Sequence, residues 1–162
     1  MGVFKSLISL ILLLALFSCS KEITQQNDES NDISFTELGS DAPYLYGETY
    51  QGRKGYITYY PGNIPLVISI PHGGDISPSE ISNRTYGITV TDSNTIELGI
   101  AIRNYFYANF NIRPYLIINN LKRTKLDANR EINEAAQGNI FARRAFNEFH
   151  SVSYTHLRAH ET

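Results

Sequence analysis

Residues 65–74 have the sequence PLVISIPHGG, an almost continuous apolar run that ends in a proline, a histidine and two glycines. A short run that is apolar on both faces predicts a central strand covered by helices on each side. Pro71 and the glycines end the run, since proline lacks the N–H that a sheet ladder needs. We therefore predict a buried strand at 65–70, with His72 at its carboxyl end.

The flanking sequence predicts alternating strands and helices. Residues 55–60 are β-branched and aromatic and end at a Pro-Gly-Asn turn, which predicts a first strand. Apolar residues at helical spacing predict a helix over 93–109, and the short apolar run at 114–119 predicts another strand. A further helical pattern covers 131–149, where Gly138 interrupts it and can split the helix in two.

This order of elements predicts the fold class. A strand, a helix and a second strand form a right-handed βαβ unit in which the two strands are parallel. We expect a partial three-layer α/β/α fold with a mostly parallel sheet, of which the visible strands are only a part. The folded domain is predicted to cover residues 42–151.

Two polar clusters follow the two apolar strands, PHGGD at 71–75 and KRTKLDANR at 122–130. In open parallel sheets, binding and catalytic groups gather at the carboxyl ends of strands, so both clusters are candidates for a functional site. The glycines after His72 allow a sharp turn or the close approach of a ligand. His72 itself can bind a metal, act as a base or hydrogen-bond its own loop.

Asp92 and Glu97 lie at the start of the predicted helix over 93–109. Either carboxylate could join His72 on a metal ion. The alternatives are structural, because Asp92 or Ser93 can be the helix N-cap and Glu97 can interact with the positive end of the helix dipole. The sequence leaves these alternatives open.

The second cluster combines two guanidinium groups, Arg123 and Arg130, with the carboxamide of Asn129. Guanidinium groups bind carboxylates in a bidentate manner and stabilise oxyanions. A solvated charge run is the structural alternative, but the position between a buried strand and a helix favours a site. We therefore expect a small substrate that carries a carboxylate.

Four ordered motifs resemble those of one protein family. They are HGG at 72–74, RTYG at 84–87, TDSNTIEL at 91–98 and KLDANR at 125–130. Their order and spacing resemble the N-formylglutamate amidohydrolase-like family over about residues 65–150. The resemblance implies a fold like that of zinc carboxypeptidases. It also implies a zinc-dependent hydrolase of an amide bond near a carboxylate, in an N-acyl amino acid, a peptide or cell-wall material.

The resemblance implies a zinc site built on His72, with Asp92 or Glu97 as the acidic ligand. The family supplies another zinc ligand from a later strand with an Asp-Leu-His-Gly-His-like motif, which this sequence lacks. Residues 152–162 resemble a translated sequencing adapter, so we expect the third protein ligand in a missing C-terminal part. Because zinc catalysis needs about three protein ligands, we expect the parent protein to be a hydrolase and this chain to be an inactive fragment.

The resemblance also implies roles on the substrate side. Arg123 would polarise the scissile carbonyl or stabilise the tetrahedral oxyanion, and Asn129 and Arg130 would hold the substrate carboxylate. The bound zinc would polarise the carbonyl and lower the pKa of its water to about 7.

The N-terminus predicts export and lipid anchoring. Residues 1–18 combine Lys5 with a short apolar run, which is typical of a secretory signal peptide and too short to span a bilayer. The stretch LFSC at 16–19 resembles the lipobox of bacterial lipoproteins, and Cys19 is the only cysteine of the chain. Residues 19–41 then read as a lipidated cysteine and a flexible tether. We expect a membrane partner through this anchor, at the outer membrane or the cell surface.

Composition limits the remaining function classes. The formal net charge is −2 and no basic cluster is present, so we expect no nucleic-acid partner. Two alternatives to the enzyme stay open. One is a noncatalytic lipoprotein that uses Arg123 and Arg130 to hold acidic ligands, and the other is a surface adhesion or structural protein, which the polar loops at the strand ends disfavour.

Overall fold

The structure is a computed structural model that describes residues 38–39 and 43–159, with side chains through Tyr154. Within these ranges the chain forms four strands, three α-helices and one turn of 3₁₀-helix. In chain order these elements are β1 (Tyr50–Gln51), the 3₁₀ turn (Arg53–Gly55), β2 (Ile57–Tyr60), β3 (Val67–Ile70), α1 (Thr95–Phe110), β4 (Tyr115–Asn119), α2 (Ile132–Ala136) and α3 (Ile140–Ala159).

The four strands form one mixed sheet in the order β1-β2-β4-β3. β3 and β4 are parallel and α1 connects them, so the predicted strand–helix–strand unit is confirmed. The prediction of a mostly parallel sheet is wrong, because β2 runs antiparallel to both β1 and β4. The cause is the short connection from β2 to β3 at residues 61–66, since a parallel return needs a crossover of about a dozen residues or more.

The position of β3 also differs from the prediction. It lies at an edge of the described sheet and only Ile70 is buried, whereas β4 lies between β2 and β3 and is buried over residues 116–119. The central strand is therefore β4. Alternate residues of β4 face two cores, because Ile117 packs with residues of α3 and Leu116 packs in a separate cluster with Ile96 of α1. The sheet thus lies between α1 and α3.

The start of α1 differs from the predicted capping. The N-cap is Asn94 in a left-handed conformation with φ 63°, and no side chain caps the helix there. Asp92 and Ser93 are therefore not N-caps. Asp92 stays outside the helix because its backbone N–H donates to the carbonyl of His72 at 3.0 Å, which ties this residue to the end of β3.

The predicted interruption at Gly138 is confirmed. Gln137 and Gly138 both adopt positive φ, 45° and 82°, and they separate α2 from α3. Asn139 then caps α3, because its Oδ1 accepts hydrogen bonds from the N–H groups of Phe141 and Ala142 at 3.0 Å each. α3 continues to Ala159 and so includes most of the segment predicted to be a tail.

The predicted signal peptide and the lipidated Cys19 lie outside the described residues. Leu38, inside the predicted tether, is buried in the larger core cluster, so the packed part of the chain includes it. No helix in the described part of the chain has the length and apolar character needed to cross a bilayer.

Glu148 of α3 ties the loop before β2 to the helix. Its side chain is buried, and its Oε1 accepts a hydrogen bond from the backbone N–H of Arg53 at 3.2 Å. Its Oε2 has no hydrogen-bond partner in the described part of the chain, and a Cβ on Gly52 would collide with it. Burial raises the pKa of Glu148 above its usual value, despite the opposing effects of the Arg53 N–H and the nearby Arg144 and Arg53 charges.

Replacement of Glu148 by glutamine should change how stability depends on pH. A raised pKa means that the folded state holds the proton more tightly than the unfolded state. The contribution of Glu148 to stability is therefore largest below the unfolded pKa and is lost as pH rises through the folded value. We expect Glu148→Gln to gain stability relative to the parent protein as pH rises above the ordinary glutamate pKa of about 4.3, measured by urea unfolding at a series of pH values. Surface-exposed Glu48→Gln is the control, and a pH-independent difference for Glu148→Gln would contradict the expectation.

Candidate functional site

A fully buried carboxylate, Asp127, lies at the centre of the site. Its side chain is 0% exposed and accepts hydrogen bonds from His72 Nε2 at 2.6 Å, from Arg123 Nε at 2.9 Å and from the backbone N–H of Asn129 at 3.1 Å. The two sequence clusters therefore meet, as the parallel register predicts: Ile70 lies opposite Ile118, so both strands end at the same edge.

The partners of Asp127 keep it ionised despite its burial. Burial alone would raise the pKa of this carboxyl. The hydrogen bonds from Arg123 and His72, the charge of His72 and the N–H of Asn129 act against burial and bring the pKa below its usual value. The site thus contains a buried negative charge whose stability depends on cationic neighbours.

His72 lies between two carboxylates. Its Nε2 contacts Asp127, and its Nδ1 lies 3.3 Å from Oδ2 of Asp92. Since an ionised Asp127 can only accept, Nε2 carries the proton in that hydrogen bond. When the ring carries its proton on Nε2 alone, Nδ1 and the Asp92 oxygen both offer a lone pair, an arrangement that a proton or a metal ion between them satisfies. A carboxylate behind a histidine in this way fixes the ring orientation of metal-binding histidines.

Arg123 links the two carboxylates. Its guanidinium Nε donates a hydrogen bond to Asp127. The Nη1 of the same group lies 3.4 Å from Oδ1 of Asp92. The Asp92 side chain is 48% exposed, whereas that of Arg123 is 8% exposed. Asp92 therefore lies on the side of the cluster that a ligand can reach, and Arg123 lies directly behind Asp92.

The glycines after His72 serve the packing of the protein itself. Neither Gly73 nor Gly74 has a positive φ, so no sharp left-handed turn requires them. A Cβ on Gly73 would lie 2.8 Å from Cγ1 of Ile96, and a Cβ on Gly74 would overlap the backbone of Asn120. The two glycines allow α1 and the segment after β4 to approach the loop that carries His72.

Arg84 is a site residue to which the sequence assigned no role. Its guanidinium is 1% exposed and donates to the carbonyls of Glu134, Ile88 and Arg123 at 3.1, 2.8 and 3.0 Å. Its Nη1 also lies 3.8 Å from Oδ2 of Asp127. Arg84 thus joins the loop before α1 to the loop after β4. Its sequence signal is the RTYG motif at 84–87, to which the sequence assigned no role.

The predicted substrate-binding residues lie at the outer edge of the cluster. The Arg130 side chain is 36% exposed, and its Nε lies 3.5 Å from Glu134 Oε1 and 4.0 Å from Asp127 Oδ2. The side chain of Asn129 lines a cavity of about 370 Å³, together with residues of β3 and His150 of α3. A second, smaller recess of about 210 Å³ has mostly apolar walls and opens beside His72 and Asp92.

The structure separates the two acidic candidates. Asp92 contacts His72, whereas Glu97 is exposed in the first turn of α1 and its carboxylate forms no hydrogen bond or ion pair with any described residue. Glu80, another carboxylate of the described chain, accepts hydrogen bonds from the Tyr56 hydroxyl and from Lys54 and does not join this cluster. No group of three or more His, Cys, Asp or Glu in the described ranges is arranged to hold a metal ion.

No family model matches the chain, and no curated protein or solved structure matches it either.

Proposed function

We propose that this chain contributes part of the active site of a zinc-dependent hydrolase that cleaves an amide bond adjacent to a carboxylate. The chain would belong to the N-formylglutamate amidohydrolase-like proteins, and its sheet would be part of a larger zinc-exopeptidase-like sheet. The observation that carries the proposal is the arrangement at His72, where Nδ1 faces Asp92 and Nε2 binds the buried Asp127.

The donor set fits zinc. Nitrogen and oxygen ligands lie about 2.0–2.2 Å from a tetrahedral zinc ion, so two ligands of one ion are about 3.3 Å apart. Nδ1 of His72 and Oδ2 of Asp92 are separated by 3.3 Å, which is long for a hydrogen bond but suitable for a shared ion. A structural or catalytic site needs at least one more protein ligand, which would come from outside the described residues.

The residues around this pair have distinct tasks in the proposed reaction. When bound, the zinc supplies Lewis acidity and a water of lowered pKa. Asp127 holds the His72 ring in position, and Arg123 donates to the oxygen of the scissile carbonyl as negative charge develops there. Asn129 and Arg130 hold the substrate carboxylate beside the larger cavity, and the apolar recess takes the acyl group.

The chain alone is not expected to turn over substrate, because the described residues bring together two ligands and catalysis needs about three. Amidase activity of the purified 162-residue chain with bound zinc would contradict this. The proposed location is the cell envelope, with the protein held at the membrane by a lipid on Cys19.

Zinc titration of single-residue variants tests the ligand assignment. We expect His72→Ala and Asp92→Asn each to weaken zinc binding at least about tenfold, because each removes one of the two proposed ligands. Glu97→Gln is the matched control, since it neutralises an exposed carboxylate near the same helix end without touching the cluster. Binding would be measured by calorimetry, and circular dichroism would verify the fold of each variant. Zinc affinity that falls with Glu97→Gln and not with Asp92→Asn would contradict the assignment.

A noncatalytic lipoprotein that binds acidic ligands is the alternative. The Arg130 side chain favours it, because it is about a third exposed at the outer edge of the cluster. This alternative predicts that simple carboxylates bind without zinc and that His72→Ala leaves their affinity unchanged.

A further inference from the structure

A polar pocket of about 340 Å³ lies away from His72, between the loop that begins at Ser82, α2 and the turn before α3. We call it the amide pocket. Its volume falls within the range of about 300–1,000 Å³ that small-molecule sites span. Arg84 separates it from the charged cluster, because its side chain extends to Asp127 whereas the neighbouring Asn83 and Thr85 line the pocket.

The walls of the amide pocket are uncharged. The described residues that line it are Ser82, Asn83, Thr85, Tyr86, Asn133, Ala136, Gln137 and Asn139. Four of them carry carboxamides and three carry hydroxyls. A carboxamide offers donors and an acceptor on one planar group, and a hydroxyl offers both as well. This chemistry complements a neutral ligand with many hydroxyls and provides nothing to neutralise a phosphate or a carboxylate.

Part of this lining is a fixed framework. Gln137 accepts from the backbone N–H and the hydroxyl of Thr85 at 2.7 and 3.2 Å, and it donates to the carbonyl of Tyr86 at 2.9 Å. Asn139 is bound to the start of α3 and donates to the carbonyl of Glu80 at 2.9 Å. These bonds hold the pocket in one shape, so a ligand meets a preorganised site.

The remaining polar side chains are available to a ligand. Ser82, Asn83 and Asn133 are exposed, and their side chains form no hydrogen bond with any described residue. Their groups come from two separate segments, the loop and α2, so a ligand between them can be held from two sides.

Tyr86 adds an anchored apolar surface. Its hydroxyl donates to the carbonyl of Asn133 at 3.1 Å and its own carbonyl accepts from Gln137, yet the residue is 55% exposed. A fixed, exposed aromatic ring beside free amide groups suits a sugar ring, which has an apolar face of C–H groups and an edge of hydroxyls. Tyrosine supplies such contact area at a low entropy cost.

We propose that the amide pocket binds a neutral saccharide. The ligand places the C–H face of one sugar ring on Tyr86 and donates and accepts hydrogen bonds at Asn83 and Asn133. The pocket and its ligand do not depend on the zinc site, because none of its lining residues belongs to the proposed metal or carboxylate-binding groups.

Calorimetric titration with neutral tetrasaccharides tests this proposal. The probes are cellotetraose, maltotetraose and tetra-N-acetylchitotetraose, added to the purified protein. We expect at least one of them to bind with a Kd of about 1 mM or tighter, and Tyr86→Ala to weaken that binding about tenfold or more. The matched control is Tyr105→Ala, which removes a similarly exposed tyrosine from α1 and should leave binding unchanged.

A second variant keeps the test valid if Tyr86→Ala fails to fold. Asn83→Ala removes an exposed side chain without internal hydrogen bonds, so it should preserve the fold and still weaken binding several-fold. Three outcomes would overturn the proposal. They are the absence of binding for all three probes, equal weakening by Tyr105→Ala and Tyr86→Ala, or unchanged affinity in folded Asn83→Ala and Tyr86→Ala proteins.

Discussion

Asp127→Asn should lower the free energy of unfolding by about 3–5 kcal/mol, which is the usual cost of removing one partner of a buried ion pair. The substitution keeps the size of the side chain but removes the negative charge that binds Arg123 and His72. The guanidinium groups of Arg123 and Arg84 then lose their buried counter-charge and keep only the more exposed carboxylates of Asp92 and Glu134 nearby. Urea unfolding followed by circular dichroism measures the loss.

The same variant should also bind zinc about 10–100-fold more weakly where it remains folded, because the His72 ring loses the carboxylate that orients it. Asp75→Asn is the matched control, since it is the same substitution at an exposed position of the loop that carries His72. An Asp127→Asn protein as stable as Asp75→Asn would mean that the buried charges do not depend on Asp127.

Gly74→Ala should destabilise the fold by about 3 kcal/mol or more, at the upper end of the cost of overpacking. The added methyl group would overlap the backbone carbonyl of Asn120, and backbone atoms cannot rotate away as a flexible side chain can. The loop after β3 would have to move away from the segment after β4. That movement would break the hydrogen bond from the Ile76 N–H to the Asn120 carbonyl, now 2.9 Å long.

Gly39→Ala provides the comparison for Gly74→Ala. A Cβ on Gly39 would meet no atom of the described residues within 4 Å, and Gly39 has no positive φ. The Gly39→Ala protein should therefore differ from the parent by no more than about 0.5 kcal/mol in its free energy of unfolding. Thermal or urea unfolding of both variants gives the difference. Equal stability of the two variants would show that the Asn120 segment yields easily and that the close approach is not needed.

The elements that local pattern determines were predictable. α1 and β4 differ from the predicted ranges 93–109 and 114–119 by one or two residues at their ends, because helical spacing and an apolar run are local signals. The antiparallel direction of β2 was not predicted, although the connection at 61–66 is too short for a parallel crossover. The position of β3 at an edge of the described sheet was also missed, because a run that is apolar on both faces has the same sequence pattern in an edge strand as in a central one.

The sequence predicted that the segments after β3 and β4 meet, but it did not predict the buried residues between them. The approach of His72 to the cluster after β4 follows from two strands that end at one edge, and the sequence anticipated it. Asp127 and Arg84 were missed as site residues because their burial depends on tertiary partners. In the sequence, Asp127 lies in a charge run that resembles a solvated surface. The choice between Asp92 and Glu97 likewise depends on a backbone hydrogen bond to His72 that no local pattern encodes.

The different exposure of the two aspartates around His72 has a consequence for comparing related proteins. Asp127 is expected to stabilise the fold whether or not a relative has the proposed activity, so its presence in a relative is no marker of that activity. Asp92 is half exposed, and its carboxylate contacts only His72 and Arg123 among the described residues. If Asp92 binds zinc as proposed, a lineage that loses the metal can lose Asp92 at little cost to stability, and the residue at that position is the better indicator of which relatives keep the proposed activity.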